Sequence, residues 1–204
     1  MVVDLWFSIL VGQSLPSDHG YGLYGAICRV LPKMHESDWW GLHTVRGARS
    51  GEGLIVLPKQ SWLGIRIVAD QIVSVLPLAG RQLEVDGHHI GLGSPTIQAL
   101  APSPALSARM VTIKDSTELE PFETSVRRQL AELSITNETV EVGSRKIVTI
   151  DGYKIVGFSL RVTGLSPGHS IKLQEEGIGG RRRMGCGIFR RSVRMLAPDR
   201  RPIG

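Results

Sequence analysis

Two cysteines in 204 residues, Cys28 and Cys186, stand far apart with no paired spacing. That excludes a disulfide framework and a cysteine-built zinc site, and it fits a reducing cytoplasm. No uninterrupted apolar run approaches the ~20 residues that cross a bilayer, so no membrane partner is expected. The N-terminal stretch MVVDLWFSILVG is apolar but carries Asp4 and lacks both a basic start and a small-residue cleavage site. It reads as a buried strand rather than a signal peptide. Six histidines are present, and His35-Glu36 is not followed by a second histidine at metalloprotease spacing, so neither a metal nor another cofactor is expected. Aromatic residues make up only 5% of the chain, so serial base stacking is not expected to dominate any nucleic-acid contact.

What the chain does have is a local concentration of glycine and arginine. Gly177 to Phe189, GIGGRRRMGCGIF, holds five glycines and three consecutive arginines. It has no Gly-Lys-Ser/Thr ending, and Arg182 stands where a dinucleotide fingerprint needs its third glycine. Glycine lets backbone N–H groups approach an anion, and arginine offers a donor fork that suits phosphate oxygens. The net charge of +5 is unevenly spread, with +7 on Gly177 to Gly204 and −2 on the rest. Clustered positive charge of this kind is the electrostatic footprint of nucleic-acid binding. A glycine turn leading into a basic strand is the plainer reading of the same residues.

Periodicity suggests one plan used twice. Val3 to Val11 reads as a strand. A helix is expected to start at an Asp18 N-cap and to carry Leu23, Ile27, Val30 and Leu31 on one face. A short helix is expected around Glu36 to Trp40, followed by a polar loop holding His43, Arg46 and Arg49. Strands at Leu54 to Leu57 and Trp62 to Val68, a helix at Gln71 to Leu76 capped by Asp70, and a hairpin across Asp86-Gly87 complete the first set. Pro95 to Pro104 reads as a linker. After it come a strand at Leu106 to Ile113, a helix at Glu120 to Leu133, strands across Asp151-Gly152, a helix from Ser166 to Glu176, the glycine-arginine loop, and a strand from Ile188 to Met195. The fold class expected is α+β: two tandem ferredoxin-like (RRM-like) domains, 1–97 and 98–204, with a C-terminal glycine-rich loop.

Three segments resemble a known family. Gly177-Ile-Gly179, five residues, then Gly185-Cys-Gly187 resembles the paired G-hydrophobic-G signature of the repeat-associated RNA proteins of CRISPR systems. Together with the helix start Asp18-His-Gly-Tyr-Gly-Leu-Tyr24 and the segment Gly41-Leu-His-Thr-Val-Arg-Gly47, the chain looks most like the CRISPR repeat-RNA endoribonucleases, the Cas-six family, in their compact form. The resemblance implies metal-independent cleavage of precursor RNA within each repeat. A 2′-hydroxyl attacks the adjacent phosphate and leaves a 2′,3′-cyclic phosphate and a 5′-hydroxyl. It further implies a repeat stem-loop as partner and leaves open retention on the product as a subunit of an effector complex. A non-catalytic RNA-binding subunit of the same superfamily is the alternative, and a generic pair of RRM-like domains is a third.

Within that resemblance His43 is the first candidate for the proton transfers, with Arg46 and Arg49 close behind it in sequence. His19 is the second, because a helix N-terminus disfavours the charged imidazole and so favours a neutral base. Relatives often face the loop histidine with a tyrosine on the first helix, where this chain has Cys28; Tyr21 or Tyr24 is the substitute from a neighbouring turn. RNA binding is expected at Arg46, at Gly177, Gly179, Gly180, Arg181, Arg182, Arg183, Gly185 and Gly187, and along Arg190 and Arg194. His88, His89 and His169 read as surface or structural residues.

Overall fold

The computed structural model describes residues 1–192, a mixed α+β fold. Its first half runs β1 (Val2–Val11), β2 (Ser14–Pro16), α1 (Gly20–Val30), α2 (Lys33–Glu36), β3 (Trp40–His43), β4 (Ala48–Arg49), β5 (Leu54–Val56), β6 (Trp62–Val68), α3 (Ile72–Val75), β7 (Gln82–Val85) and β8 (His88–Ala99). Five strands form an antiparallel sheet in the order β3-β6-β1-β8-β7, while β2, β5 and β4 make a separate small one. Strand alternation divides the five-stranded sheet. Val3, Leu5 and Phe7 of β1, with Leu63, Ile65 and Ile67 of β6, are buried in one apolar cluster with Leu23 and Ile27 of α1. Each such side chain contributes about 1.5–3 kcal/mol by leaving water. Asp4 and Trp6 project to the opposite face.

The second half runs β9 (Ala105–Val111), α4 (Leu119–Glu132), β10 (Thr139–Ile150), β11 (Tyr153–Thr163), α5 (Pro167–Glu176) and β12 (Phe189–Arg191), with the sheet ordered β10-β11-β9-β12. Its own core gathers Phe122, Val126 and Leu130 of α4 with Phe158, Leu160 and Phe189. Ser166 caps α5 by accepting from the His169 backbone N–H at 3.1 Å, as the Ser-Pro start suggested. Asp86-Gly87 and Asp151-Gly152 both have positive φ at both residues, the geometry of tight hairpins.

Several elements lie elsewhere than expected. The strand beside β6 is β3, not Leu54 to Leu57, which contributes β5 to the small sheet. Trp40 and Leu42 are buried on the helix side of β3, and Gly41 between them lets Ile188 of the C-terminal half pack where a Cβ would stand. The short helix is Lys33–Glu36, and Trp40 is already strand. Asp18 does not cap α1; its carboxylate accepts from the Thr149 backbone N–H at 2.6 Å, and no side chain caps the helix. Asp70 likewise makes no cap, because a 3-10 turn precedes α3. Pro95 is strand rather than linker, paired opposite Phe7 beside a register irregularity. There β8 has already outrun β7, and such an edge tolerates a residue with no N–H. The final strand is Phe189–Arg191, with Ile188 and Ser192 just outside it; Arg194 and the remainder of the expected strand, 193–195, lie outside the described residues.

Candidate active site

The polar face of the first sheet carries a buried network. Asp4 on β1, Arg66 on β6 and His43 at the end of β3 point the same way, because β1 pairs Asp4 with Arg66 and β6 pairs Gly64 with His43. Arg66 grips the carboxylate with both tines of its fork, Nε to Asp4 Oδ1 at 2.8 Å and Nη2 to Oδ2 at 2.9 Å. The remaining terminal nitrogen, Nη1, donates to the carbonyls of Gln174 and Phe189, both at 2.7 Å. One side chain therefore ties the first sheet to α5 and β12. His43 Nε2 stands 2.9 Å from Asp4 Oδ1; an ionised carboxylate only accepts, so Nε2 carries the proton and Nδ1 keeps its lone pair.

Electrostatics follow from burial and pairing. Burial would raise the Asp4 carboxyl, but the hydrogen bonds and charges of His43 and Arg66 outweigh it and hold the group well below the usual carboxylate range. Burial pushes the His43 imidazole down to about 4, against the pull of Asp4. At neutral pH His43 is therefore uncharged and able to take a proton. Its side chain is only 2% exposed. The ring packs against Trp6 with centroids 4.8 Å apart, and the Arg190 guanidinium sits over the same indole at 4.5 Å. Gly64 makes room for this: it faces Trp6 across β1 and β6, and a Cβ there would run into the indole.

Beyond Trp6 opens a cavity of about 380 Å³, bordered by Thr44, Arg46 and Arg190. The arginines are close enough for their charges to matter. Burial lowers Arg190 to about 10, with Arg46 adding to the effect. Arg109 of β9 is lowered by burial and by Arg49 and Arg46, although Asp18 opposes this, and Lys146 of β10 is lowered by burial, Arg109 and Arg49. Arg109 also reaches across to the first half, donating to Thr44 Oγ1 at 3.0 Å and the Ser17 carbonyl at 3.1 Å. A basic track thus joins the two halves through Arg190, Arg46, Arg109, Arg49 and Lys146.

His19 sits at the same end of the fold with both ring nitrogens engaged. The Val45 backbone N–H donates to Nε2 at 3.0 Å, which leaves Nδ1 as the protonated nitrogen, donating to the Pro16 carbonyl at 2.6 Å. Burial pushes this imidazole down to about 4 as well. The ring pins the segment after β3 to the start of α1 and has no lone pair left for a substrate. Tyr21 is partly exposed and is not brought to His43. Its ring stacks with Tyr24, which stacks in turn on Trp40, and Trp40 points to the face of β3 opposite His43.

The glycine-arginine loop serves packing more than the sequence suggested. A Cβ on Gly177 would meet the Gly187 carbonyl, and one on Gly187 would meet that of Ile178, so the paired G-x-G stretches are two backbones crossing in contact. Gly179 is close-packed against Thr112 and Gly185 against Thr44, while Gly180 has open space. Arg182 donates to the Glu175 carbonyl, and Arg183 donates to the carbonyls of His35 and Ser37 and lies 5.6 Å from the Tyr24 ring centroid. Only Arg181 of the three is exposed, at a left-handed φ of 62°.

Sequence reasoning missed Asp4, Arg66, Arg109, Lys146 and the cavity tryptophans, Trp6 and Trp62. A signal was present: an acid inside VVDLWF and an arginine inside WLGIRIV each sit in an apolar strand, where a charge demands a partner. Among the described residues no group of three or more His, Cys, Asp or Glu converges as a metal site requires.

A family model described as Cas6 Crispr matches residues 3–192. The chain belongs to the Cas6 family. It is 40% identical over 187 residues to a CRISPR-associated endonuclease Cas6 of Myxococcus xanthus (strain DK1622), covering 92% of this chain and 80% of that protein. Among solved structures, the product of a Cas6-related gene from Pyrococcus furiosus superimposes with a TM-score of 0.66 at 14% identity, over 96% of this chain and 99% of the other. Cse3 of Thermus thermophilus, solved bound to an RNA representing a pre-cleavage complex, gives 0.52 at 11% identity, over 93% and 98%. These structural likenesses concern the fold.

Proposed function

We propose that this Cas6-family chain is a metal-independent endoribonuclease that cleaves CRISPR repeat RNA. The observation that carries the reading is a neutral histidine, oriented by a buried carboxylate, beside a cavity flanked by arginines. His43 Nδ1 takes the proton of a 2′-hydroxyl, whose oxygen forms a new bond to the neighbouring phosphorus. The bond from phosphorus to the 5′-oxygen breaks, leaving a 2′,3′-cyclic phosphate and, once that oxygen takes a proton from water, a 5′-hydroxyl. Arg46 and Arg190 supply positive charge where the phosphorane gathers negative charge. Since His43 is almost wholly covered, Arg190 exchanges the Trp6 ring for a phosphate oxygen as RNA enters. His19 holds the scaffold. The basic track and the exposed Arg181 carry the phosphates of the repeat stem, Arg182 and Arg183 anchor the loop, and contacts persisting on the product would retain the protein for an effector complex.

Each half is read as a ferredoxin-like unit, with the boundary moved from 97/98 to after Ala99, because β8 runs on to that residue and pairs it with Val3. Support comes from one shared pattern: in both sheets the unit's second, third, first and last strands lie side by side, β3-β6-β1-β8 and β10-β11-β9-β12, and the first sheet adds β7 as an edge strand beside β8.

The burial of both candidate histidines favours a second reading, a non-catalytic RNA-binding subunit. Repeat RNA incubated with the protein in EDTA separates the two, using one unmodified strand and one with a single 2′-deoxy substitution at the scissile nucleotide. Cleavage of the unmodified strand alone is expected. Binding of both strands with cleavage of neither would establish the subunit.

A further inference from the structure

We propose that the cavity beside Trp6 is a reading pocket for one unpaired purine base of the RNA. This rests on the proposal that the chain binds repeat RNA and adds what it recognises there besides charge. At about 380 Å³ the cavity falls at the lower end of the ~300–1,000 Å³ typical of small-ligand sites, a size that suits a single nucleotide. Its lining divides by chemistry. Arg46 and Arg190 stand at one side, where a phosphate would be met. Trp62, Gln60, Thr96 and Gln98 are among its uncharged lining.

Trp62 is the stacking surface. The Trp6 ring is packed against His43 and is covered by Arg190 until RNA enters, whereas Trp62 is already 41% exposed, on a strand whose neighbouring side chains are buried. A large indole left open at the mouth of a polar cavity is costly for solubility and useful for a base, since every base has a π-face. Two side-chain amides face the same space, and a glutamine amide offers one donor and one acceptor side by side, the complement of an adenine edge. No acidic residue lines the cavity among the described residues, so the acceptor that would select a cytosine amino group is missing. The indole N–H of Trp6 is buried and has no partner among the described residues, and such a donor is costly to leave unmade. A base acceptor reaches it only once Arg190 leaves the indole, so this bond would form with the same movement that admits RNA.

The pocket also has a reason to sit here. It adjoins His43 through Trp6 and Thr44, so a base held in it would fix the ribose and phosphate next to it over the basic side of the cavity. Recognition and positioning would then be one event, which is how binding energy is turned into orientation.

The test is an abasic scan. Repeat RNA is prepared with single abasic replacements through its unpaired nucleotides, and Kd is measured for the wild-type protein and for Trp62→Ala and Gln98→Ala, two changes at exposed positions. One replacement is expected to weaken wild-type binding about 10-fold. Trp62→Ala should weaken the intact RNA by a similar factor and the matching abasic RNA no further. Gln98→Ala should narrow the purine-to-pyrimidine preference at that position. Equal losses on intact and abasic RNA, or no sensitive unpaired position, would overturn the pocket. Cleavage of the intact RNA is followed in the same samples. Normal cleavage with an indifferent scan removes the pocket alone, and a sensitive scan without cleavage removes the endonuclease reading and leaves the pocket standing.

Discussion

The two faces of the first sheet are built from the same strands and do opposite work. On one, Val3, Leu5 and Phe7 alternate with Leu63, Ile65 and Ile67 to make an apolar core under α1. On the other, one residue along, Asp4, Trp6, Arg66 and His43 make a polar network that holds the C-terminal half and borders the cavity. A period of two gives a strand both a packing face and a chemical face, with no extra chain. The difference lies in what each face tolerates. Apolar contacts degrade by degrees, whereas a buried ion pair fails when one partner is lost.

The sharpest way to break the comparison is one deletion on each face. Arg66→Ala leaves the Asp4 carboxylate buried without its fork and also frees the carbonyls of Gln174 and Phe189; a loss of about 3–5 kcal/mol is expected in denaturant unfolding. Phe7→Ala should cost a similar ~3–5 kcal/mol through cavity and transfer terms. The two are told apart by acid. Relative to wild type at the same pH, acidification relieves the Arg66→Ala loss as Asp4 takes up a proton, and it leaves the Phe7→Ala loss where it was.

His43→Ala tests the chemical face directly. Cleavage should fall by about 10²–10⁴-fold, with repeat-RNA affinity retained, because the imidazole is buried behind Trp6 and contributes to proton transfer rather than to grip. A variant that cleaves at the wild-type rate would sink the assignment.

Both buried histidines make stability depend on pH. His19 and His43 are held at about 4, below the ~6.5 of a free imidazole, so the unfolded chain binds more protons in that interval. Their contribution is complete above ~6.5 and is lost as pH falls toward 4, with a slope near 1.4 kcal/mol per pH unit for each group when fully developed. His19→Gln should remove about half of that slope in a Tm-versus-pH series. A variant with the wild-type slope would mean that His19 titrates freely in the fold.

Much of this arrangement could be read in advance, and what could not has a common cause. The Asp-Gly hairpins, the Ser166 cap and the apolar stripe of α4 are set by residues within a few positions of one another, so local chemistry announces them. β3 was hidden because four residues with a glycine and a histidine look like loop until Ile188, more than a hundred residues on, packs over Gly41. Leu54 to Leu57 was the better isolated strand and went to a minor sheet for want of a place beside β6. His43 stood out as a candidate, but Asp4 and Arg66, which orient it, read only as interruptions in apolar runs. Pairing between distant strands turns such interruptions into a site.

The glycine-arginine loop repeats the contrast on a smaller scale and yields the smallest predicted effect. Its composition suggested an anion cradle, yet the Gly177 and Gly187 backbones meet each other, and Arg182 and Arg183 are spent on carbonyls. Arg181 alone projects from the turn. If phosphates are held there, Arg181→Ala should weaken repeat binding modestly and uniformly across sequences and reduce the slope of log Kd against log salt by about 1, with no change in Tm. Arg183→Ala should do the reverse, lowering Tm through the loss of the His35 and Ser37 contacts while leaving the salt slope in place. Equal salt slopes for wild type and Arg181→Ala would mean that the loop only packs, and that the RNA's phosphates are met entirely by the track from Arg190 to Lys146.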